Sequence, residues 1–507
     1  MTGEKILGVH KLGQLVAVEK AAGKTVVHCH GVFDLIHIGH IKHLEAAKKL
    51  GDVLVVTTTP DRFVNKGPHR PAFGEQLRAE ALAALSCVDY VAINEWPTAV
   101  EIIKVVKPDL FVKGFVKEQG KRDHTNAINE EEQAVLSVGG KLHLTEEETF
   151  SATTLINRFT SIFSPQTREF LENFRQIISP EALVSELDKL KGLKVLVVGE
   201  TILDDYQFCN VLGKSSKEPV LAALLKKSEN YLGGSLAIAN HVANFCDDVT
   251  LVTGIGEVDS REDFIRRGLR GNIRPHLLKT AGHPTIVKRR FLEGYLGSKI
   301  FEVYEMGQGP LNSEFETEFR RTLDSEIPKH DVVIVADYGH GLISRDSVRL
   351  LCTKSKFLAV NSQVNAGNRG FNLLSKYPRA DFVSIGEPEL RLDARDLEGS
   401  LTDLVAASAS RMCTKYFIAT AGSSGLYCCD GRGEIEQVPA FSIRVVDRVG
   451  AGDAVLAITS PAATLGLTGK VLGFIANVVG AEACMIMGHS SSISSSSLYR
   501  SITSLLK

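Results

Sequence analysis

The chain is 507 residues long, 44% hydrophobic and 23% charged, with a formal net charge of −2. That length exceeds what one hydrophobic core supports, so two or three globular domains are expected. The near-neutral balance excludes a general attraction to nucleic acid or to an acidic membrane surface.

No basic-then-apolar leader opens the sequence, and no apolar run is long enough to span a bilayer. Nine cysteines are scattered at positions 29, 87, 209, 246, 352, 413, 428, 429 and 484 without a C-x-x-C pair. Neither a disulfide framework nor a zinc cluster is indicated, and the reduced cytoplasm is the expected compartment. Cys428 and Cys429 are expected simply to sit in a strand.

In chain order, residues 24–33 read as a strand running into a turn, and 40–51 as a helix closed by Gly51. A second strand follows at 52–60, a second helix at 75–86, and further strands at 89–94 and 109–114. Such alternation implies parallel strands with helices on both faces. This unit is expected over residues 1–158. Residues 159–192 hold two helical patches divided by Ser179-Pro180 and read as a helical linker. A second unit is expected over 193–507, with strands at 193–206, 249–256, 331–339, 356–362, 381–386 and 415–422. The fold class is therefore α/β, with two doubly wound domains. The serines at 490–497 read as a loop.

The run from Gly31 to His40 follows a strand and opens a helix. A helix start presents unpaired N–H groups and partial positive charge to phosphate. His37 and His40 are spaced to face one side of the first turn, where two imidazoles can donate to a triphosphate as charge moves onto pyrophosphate. Gly39 permits close approach of a nucleotide. The pattern G-x-F-D-x-x-H-x-G-H, followed by L-x-x-A-K-x-x-G-D, resembles the cytidylyltransferase-like nucleotidyltransferases. The likeness continues through Lys66-Gly67, Arg78, Lys107-Pro108-Asp109, Val112-Lys113-Gly114 and Ser151-Ala152-Thr153-Thr154, and covers about residues 24–158. It implies that His37 and His40 stabilise the transition state and that Lys66 holds phosphate. Ser151, Thr153 and Thr154 would line the triphosphate, with Gly31, Phe33, Arg78 and Lys113 also at the nucleotide. Thr58 stands where the related heptose adenylyltransferases carry asparagine, and residues 115–130 depart from their continuation, so the acceptor is less well specified than the reaction type.

Asp447-Arg448-Val449-Gly450-Ala451-Gly452-Asp453 follows a strand and precedes an apolar helix. Glycines there let backbone N–H groups converge on an anion, and Asp453 is placed to take a proton from an attacking hydroxyl. The D-x-x-G-A-G-D pattern resembles the signature of the ribokinase-like (phosphofructokinase B) sugar kinases. That resemblance implies a sugar-binding Asp204, a diglycine Gly233-Gly234 close to the sugar, and Pro284-Thr285 leading to Lys288 and Arg290. Alternation on a strand puts Lys288 and Arg290 on one face, which suits a phosphorylated sugar. Asp337-Tyr338 matches the family's D-Y. Glu389 would organise Mg²⁺ through water. Thr420, Gly422 and Gly425 match a nucleotide-binding strand and turn, and Asn477 a helix near adenine. Departures lie at Ala237 (with Asn240 the nearest asparagine available to the substrate), His340, Asn361-Ser362-Gln363 and Gly386, all around sugar and phosphate.

Taken together the chain resembles the bifunctional heptose kinase/adenylyltransferase family with the two halves in reversed order. Implied are ATP-dependent phosphorylation of a heptose-like sugar and nucleotidyl transfer to a sugar 1-phosphate, with ATP or CTP as nucleotide and Mg²⁺ as cofactor. The expected partners are sugar phosphates and nucleoside triphosphates, with no nucleic acid and no membrane, and a homo-oligomer is expected. A polyol-phosphate cytidylyltransferase with an associated kinase, and a sugar-phosphate-binding scaffold with a degenerate kinase half, are the alternatives.

Overall fold

Alternating apolar runs in the first third of the chain form β1 (Val26–Gly31), β2 (Val53–Thr58), β3 (Tyr90–Ile93), β4 (Leu110–Gly114) and β5 (Lys141–Thr145). They lie in the order β3-β2-β1-β4-β5, and every neighbouring pair is parallel. The computed structural model describes residues 5–64, 71–114, 127–145, 163–294, 297–442 and 445–506. The period of two along each strand sends successive side chains to opposite faces. Val26, Val53, Val55 and Phe111 pack one way, against Val9, Leu12 and Val16 of a helix Val9–Ala21. Val27, Cys29, Leu54 and Val56 pack the other way, against Leu44 and Leu82. The helix Val9–Ala21 is not legible in the sequence, because Gly13 interrupts it. A Cβ at Gly13 would lie 2.9 Å from Val105, so the glycine permits close packing of two helices. The strand order reverses between β1 and β4, and crevices at such reversals are where open α/β sheets bind ligands.

The second unit holds a nine-stranded sheet. Its strands are β6 (Lys194–Gly199), β9 (Asp248–Val258), β10 (Ile273–Pro284), β13 (Val332–Asp337), β14 (Leu358–Ser362), β15 (Phe382–Gly386), β16 (Tyr416–Thr420), β17 (Leu426–Asp430) and β18 (Ile435–Val438). They run β10-β9-β6-β13-β14-β15-β16-β17-β18, parallel as far as β16 and antiparallel beyond it. Cys428 and Cys429 lie in β17 as expected, and every cysteine is free. One face is covered by Phe315, Phe319, Leu323, Val348 and Leu351 from two helices.

A second, four-stranded sheet of this unit is absent from the sequence reading. It comprises β7 (Thr201–Lys214), β8 (Leu221–Gly234), β11 (Ile286–Glu293) and β12 (Lys299–Glu305), in the order β12-β11-β7-β8. The single strand expected over 193–206 breaks at Glu200 into β6 and β7. The hairpin of β7 and β8 is buried only near its base, so its outer half lacks the apolar alternation that marks a strand.

The chain divides into two compact units, Met1–Ser164 with Tyr499–Lys507 in the first and Pro165–Leu498 in the second. The stretch read as a linker contains helices Pro165–Phe174 and Pro180–Asp188. Their apolar side packs into the second unit, with the Phe174 ring stacked 4.2 Å from that of Phe474. The serine patch is not a loop throughout: a helix begins at Ser495, where Ser494 Oγ accepts from the amide of Ser497 at 3.1 Å. A serine hydroxyl is a good helix cap, which outweighs the low helix propensity of the run. Among the described residues, no helix is long and apolar enough to cross a membrane.

Candidate active sites

In the first unit β1 ends at Gly31 and the chain turns through Phe33 (φ 49°) and Leu35 (φ 51°) before the helix Ile38–Lys48. Positive φ at two bulky residues is strained, and the loop is held in it by specific bonds. Asp34 accepts from the amides of Ala72 (2.9 Å) and Phe73 (3.2 Å). The Phe33 ring meets His40 edge-on at 5.5 Å.

His37 caps the helix. Its Nδ1 accepts from the amide of Gly39 at 3.1 Å, so in the neutral ring the proton resides on Nε2. That Nε2 is buried and has no hydrogen-bond partner among the described residues. Burial also lowers the pKa of His37, favouring the neutral donor form. The His40 ring stacks on His37 at 4.0 Å. The two imidazoles therefore sit together at a helix start, as the spacing predicts.

Behind them His28 Nε2 and His30 Nδ1 share Thr57 Oγ1, each at 2.8 Å. Burial, and then the Lys113 charge, depress His30 to about 3, so it stays neutral. The Lys113 ammonium pairs with Glu131.

Arg78 is the main correction in this unit. Rather than reaching toward a nucleotide, its side chain is buried and its donors are engaged within the chain. It donates to Phe73 O (2.9 Å), Thr59 O (2.8 Å), Asp61 Oδ1 (2.6 Å), Thr58 Oγ1 and Val32 O. Arg78 thus ties the loops after β1 and β2 together, and Thr58 is where it does so. Lys66, Ser151, Thr153 and Thr154 lie outside the described residues.

In the second unit a cleft of about 330 Å³ opens at the carboxyl ends of β13–β16. Asp204, Gly234, Lys288, Arg290, Glu389, Thr420, Gly450, Gly452 and Asp453 all line it. Asp453 is buried at the start of the helix Ala451–Ala462. Its Oδ1 accepts from Tyr338 Oη (2.8 Å) and Gln363 Nε2 (3.0 Å). Burial raises its pKa, while His489 and Tyr338 oppose the rise. Asp204 pairs with Arg290. A Cβ at Gly233 would come 2.2 Å from Asp204 Oδ2, so only glycine admits that carboxylate. Lys288 is buried among the rings of Tyr304 (5.3 Å) and Tyr338 (5.9 Å), and desolvation lowers its pKa. Glu200 accepts from the amides of Tyr338 and His340, each at 3.0 Å, and burial followed by repulsion from Asp337 lifts it to about 7.

Two departures acquire physical reasons. A Cβ at Gly386 would meet Glu389 Oε2 at 2.4 Å, so the glycine that replaces asparagine makes room for this carboxylate. Gln363 donates its side-chain amide to the Asp453 carboxylate. Two expectations are corrected. Asn240 does not line the cleft: it donates to Gly268 O and accepts from the Arg270 amide, both at 3.0 Å, because its helical turn faces that loop. Asn477 is buried, donates to Pro439 O (2.8 Å) and accepts from the Phe441 amide (3.2 Å), and so shapes the loop 438–441. Gly422 (φ 56°) and Gly425 (φ 88°) form the turn after Thr420. His489, which no sequence motif marked, stands in the cleft between Asp204 and Asp453.

Residues 193–495 match the family described as pfkB family carbohydrate kinase. The chain belongs to that family. Residues 28–158 match the cytidylyltransferase-like family. A bifunctional protein HldE of Syntrophotalea carbinolica is 41% identical over 150 residues, 29% of each chain. That of Pelobacter propionicus is 40% identical over 163 residues, 32% of each. The alignments thus span about a third of these relatives' length. The crystal structure of Escherichia coli phosphofructokinase-2 with potassium superposes with a TM-score of 0.51 at 14% identity, over 62% of this chain and all of that one, a likeness of fold. The pfkB-family unit carries the D-x-x-G-A-G-D turn with its aspartate buried and hydrogen-bonded in the cleft.

Proposed function

We propose that the chain is a bifunctional transferase for nucleotide-sugar synthesis. The second unit phosphorylates a heptose-like sugar or sugar phosphate with ATP. The first couples a sugar 1-phosphate to a nucleotide from ATP or CTP and releases pyrophosphate. The observation that carries this reading is that each unit sets reactive side chains at the amide-rich start of a helix by the carboxyl end of a parallel sheet. Those side chains are the His37–His40 pair in one unit and Asp453 in the other.

In the kinase cleft the acceptor hydroxyl loses its proton to Asp453 as its oxygen bonds to the γ-phosphorus, and the bond to ADP breaks. The amides of Gly450–Gly452 face the transferred group. Lys288 and Arg290 supply fixed positive charge, which favours a phosphorylated acceptor. Mg²⁺ fits the oxygen donors present: Asn361 Oδ1 is buried without a partner among the described residues, and Glu389 lines the same cleft. When bound there the ion would neutralise charge on the phosphate chain. In the first unit a phosphate oxygen attacks the α-phosphorus and pyrophosphate leaves. The unpartnered His37 Nε2–H, aided by His40, donates to the departing charge. Lys66, Ser151, Thr153 and Thr154 would complete the triphosphate site.

A homo-oligomer is consistent with apolar residues displayed on the four-stranded sheet, where Leu212, Leu221, Leu225 and Phe301 are each more than half exposed. Light scattering on the purified chain tests it.

The deciding experiment incubates the full chain with ATP or CTP and a panel of hexose, heptose and alditol phosphates, read by product mass. ADP with a doubly phosphorylated sugar, and pyrophosphate with a nucleotide sugar, are expected. Absence of both overturns the proposal, and CTP-dependent coupling of an alditol phosphate would replace the acceptor named here.

A further inference from the structure

We propose that His489 is a positioning residue for phosphoryl transfer, spanning the carboxylates of Asp204 and Asp453 and holding them in register over the Gly450 turn. The proposal deepens the kinase reading and rests on it. His489 Nε2 lies 3.5 Å from Asp204 Oδ2 and 3.8 Å from Asp453 Oδ2, and its side chain is only 5% exposed. The other oxygens of both carboxylates are engaged: Asp204 Oδ1 by Arg290, Asp453 Oδ1 by Tyr338 and Gln363. One imidazole therefore faces the oxygen that would meet a sugar hydroxyl and the oxygen that would take the proton.

The ring is fixed from several sides. A Cβ at Gly450 would fall 2.3 Å from His489 Cε1, so the ring lies flush on the turn that faces the transferred phosphoryl group. The amide of Gly488 donates to Asp447 Oδ2 at 3.1 Å, and a Cβ at Gly488 would strike the Tyr206 ring at 2.9 Å. Further along, Ile493 N donates to His241 Nδ1 (3.1 Å), while Asn244 Nδ2 donates to Ser492 Oγ (2.8 Å) and Ile493 O (2.9 Å). These contacts fasten the segment 488–493 to both flanking elements. A histidine held this firmly between two carboxylates loses little entropy when substrate arrives.

The charged groups around it come from every neighbouring element. Asp204, paired with Arg290, and Asp453 lie against the ring, and Lys288 and Arg448 line the same cleft. Asp447 accepts from the neighbouring Gly488 amide, and His241 is held neutral by burial with a pKa of about 3. Burial raises the pKa of Asp453, and the electrostatic influence of His489 is the largest of those that oppose the rise. Removing the imidazole takes away the largest of the groups that oppose burial and leaves Tyr338 and Lys288, so Asp453 holds its proton to higher pH and the base is lost on the acid side.

The test follows ATP-dependent phosphorylation of hexose and heptose monophosphates by the full chain between pH 5 and 9. Wild type, His489→Ala and His489→Gln are compared. The acid limb of kcat/KM is expected to move up by about one pH unit in His489→Ala and by less in His489→Gln. ATP affinity should be unchanged, and added imidazole should restore turnover to His489→Ala. A fall in rate with the acid limb in place and no imidazole rescue, in the equally bulky His489→Gln as well as in His489→Ala, overturns the inference. No transfer by wild type to any acceptor overturns the kinase reading itself.

Discussion

Replacing Arg78 with methionine tests whether this residue organises the first site or touches the nucleotide. The guanidinium is 2% exposed and makes five hydrogen bonds within the chain. In the variant the buried Thr59 O loses its donor, which costs about 1–3 kcal/mol, while Phe73, 45% exposed, can be rehydrated. Val32 O keeps its bond from Thr58 Oγ1 (3.0 Å), and Asp61, with its side chain 42% exposed, can be rehydrated. Relief of the guanidinium's desolvation offsets part of the loss. The net expectation is about 1–3 kcal/mol of destabilisation, the cost of one buried acceptor left without a donor. For a unit of this size that is a fall in melting temperature of about 5 °C. Scanning calorimetry, resolving the transition assigned to the first unit, measures it. A loss below about 1 kcal/mol, with nucleotide affinity reduced tenfold or more, would refute the positioning role and restore a direct contact.

Further expectations follow from the second unit. Gly425→Ala places a Cβ 2.0 Å from Val438 O at φ 88°, so the loop that Asn477 fastens must move. A destabilisation of about 1–3 kcal/mol in urea and a raised KM for ATP are expected, and an unchanged KM would detach this turn from the nucleotide. Glu200 holds its proton to about 7 in the folded chain against an ordinary 4.5. Its contribution to stability is therefore full below about 4.5 and lost as pH rises through about 7. Urea midpoints compared at pH 5 and pH 8 should show a smaller drop in Glu200→Gln than in wild type, and equal drops would contradict the assignment. His37→Ala should slow pyrophosphate release at least a hundredfold, as loss of a preorganised donor does, and a loss under tenfold would remove His37 from that role.

Much of this was legible in the sequence, and the exceptions have physical causes. The parallel strands were readable because each is a short apolar run bounded by turn residues, as in Val53–Thr58 and Val332–Asp337. Both glycine-bearing turns that open the helices Ile38–Lys48 and Ala451–Ala462 were readable because glycine and histidine there answer to local geometry. The four-stranded sheet was hidden because its hairpin exposes both faces beyond Cys209, leaving no alternation to read. Arg78, Asn240 and Asn477 were placed on ligands by position in a motif, yet each side chain serves a nearby loop, and that depends on tertiary approach alone. His489 was invisible for the same reason: it reaches Asp453 from a segment beyond the next helix, with no spacing to announce it.

The most direct measurement of the central claim follows one reaction mixture of full chain, ATP, Mg²⁺ and a sugar phosphate by ³¹P NMR, for wild type, Asp453→Asn and His37→Ala. Two independent sites require that Asp453→Asn abolish ADP formation while pyrophosphate still appears on supply of a sugar 1-phosphate, and that His37→Ala do the reverse. Persistence of ADP formation in Asp453→Asn, or loss of both products in either variant while the chain remains folded, would contradict it.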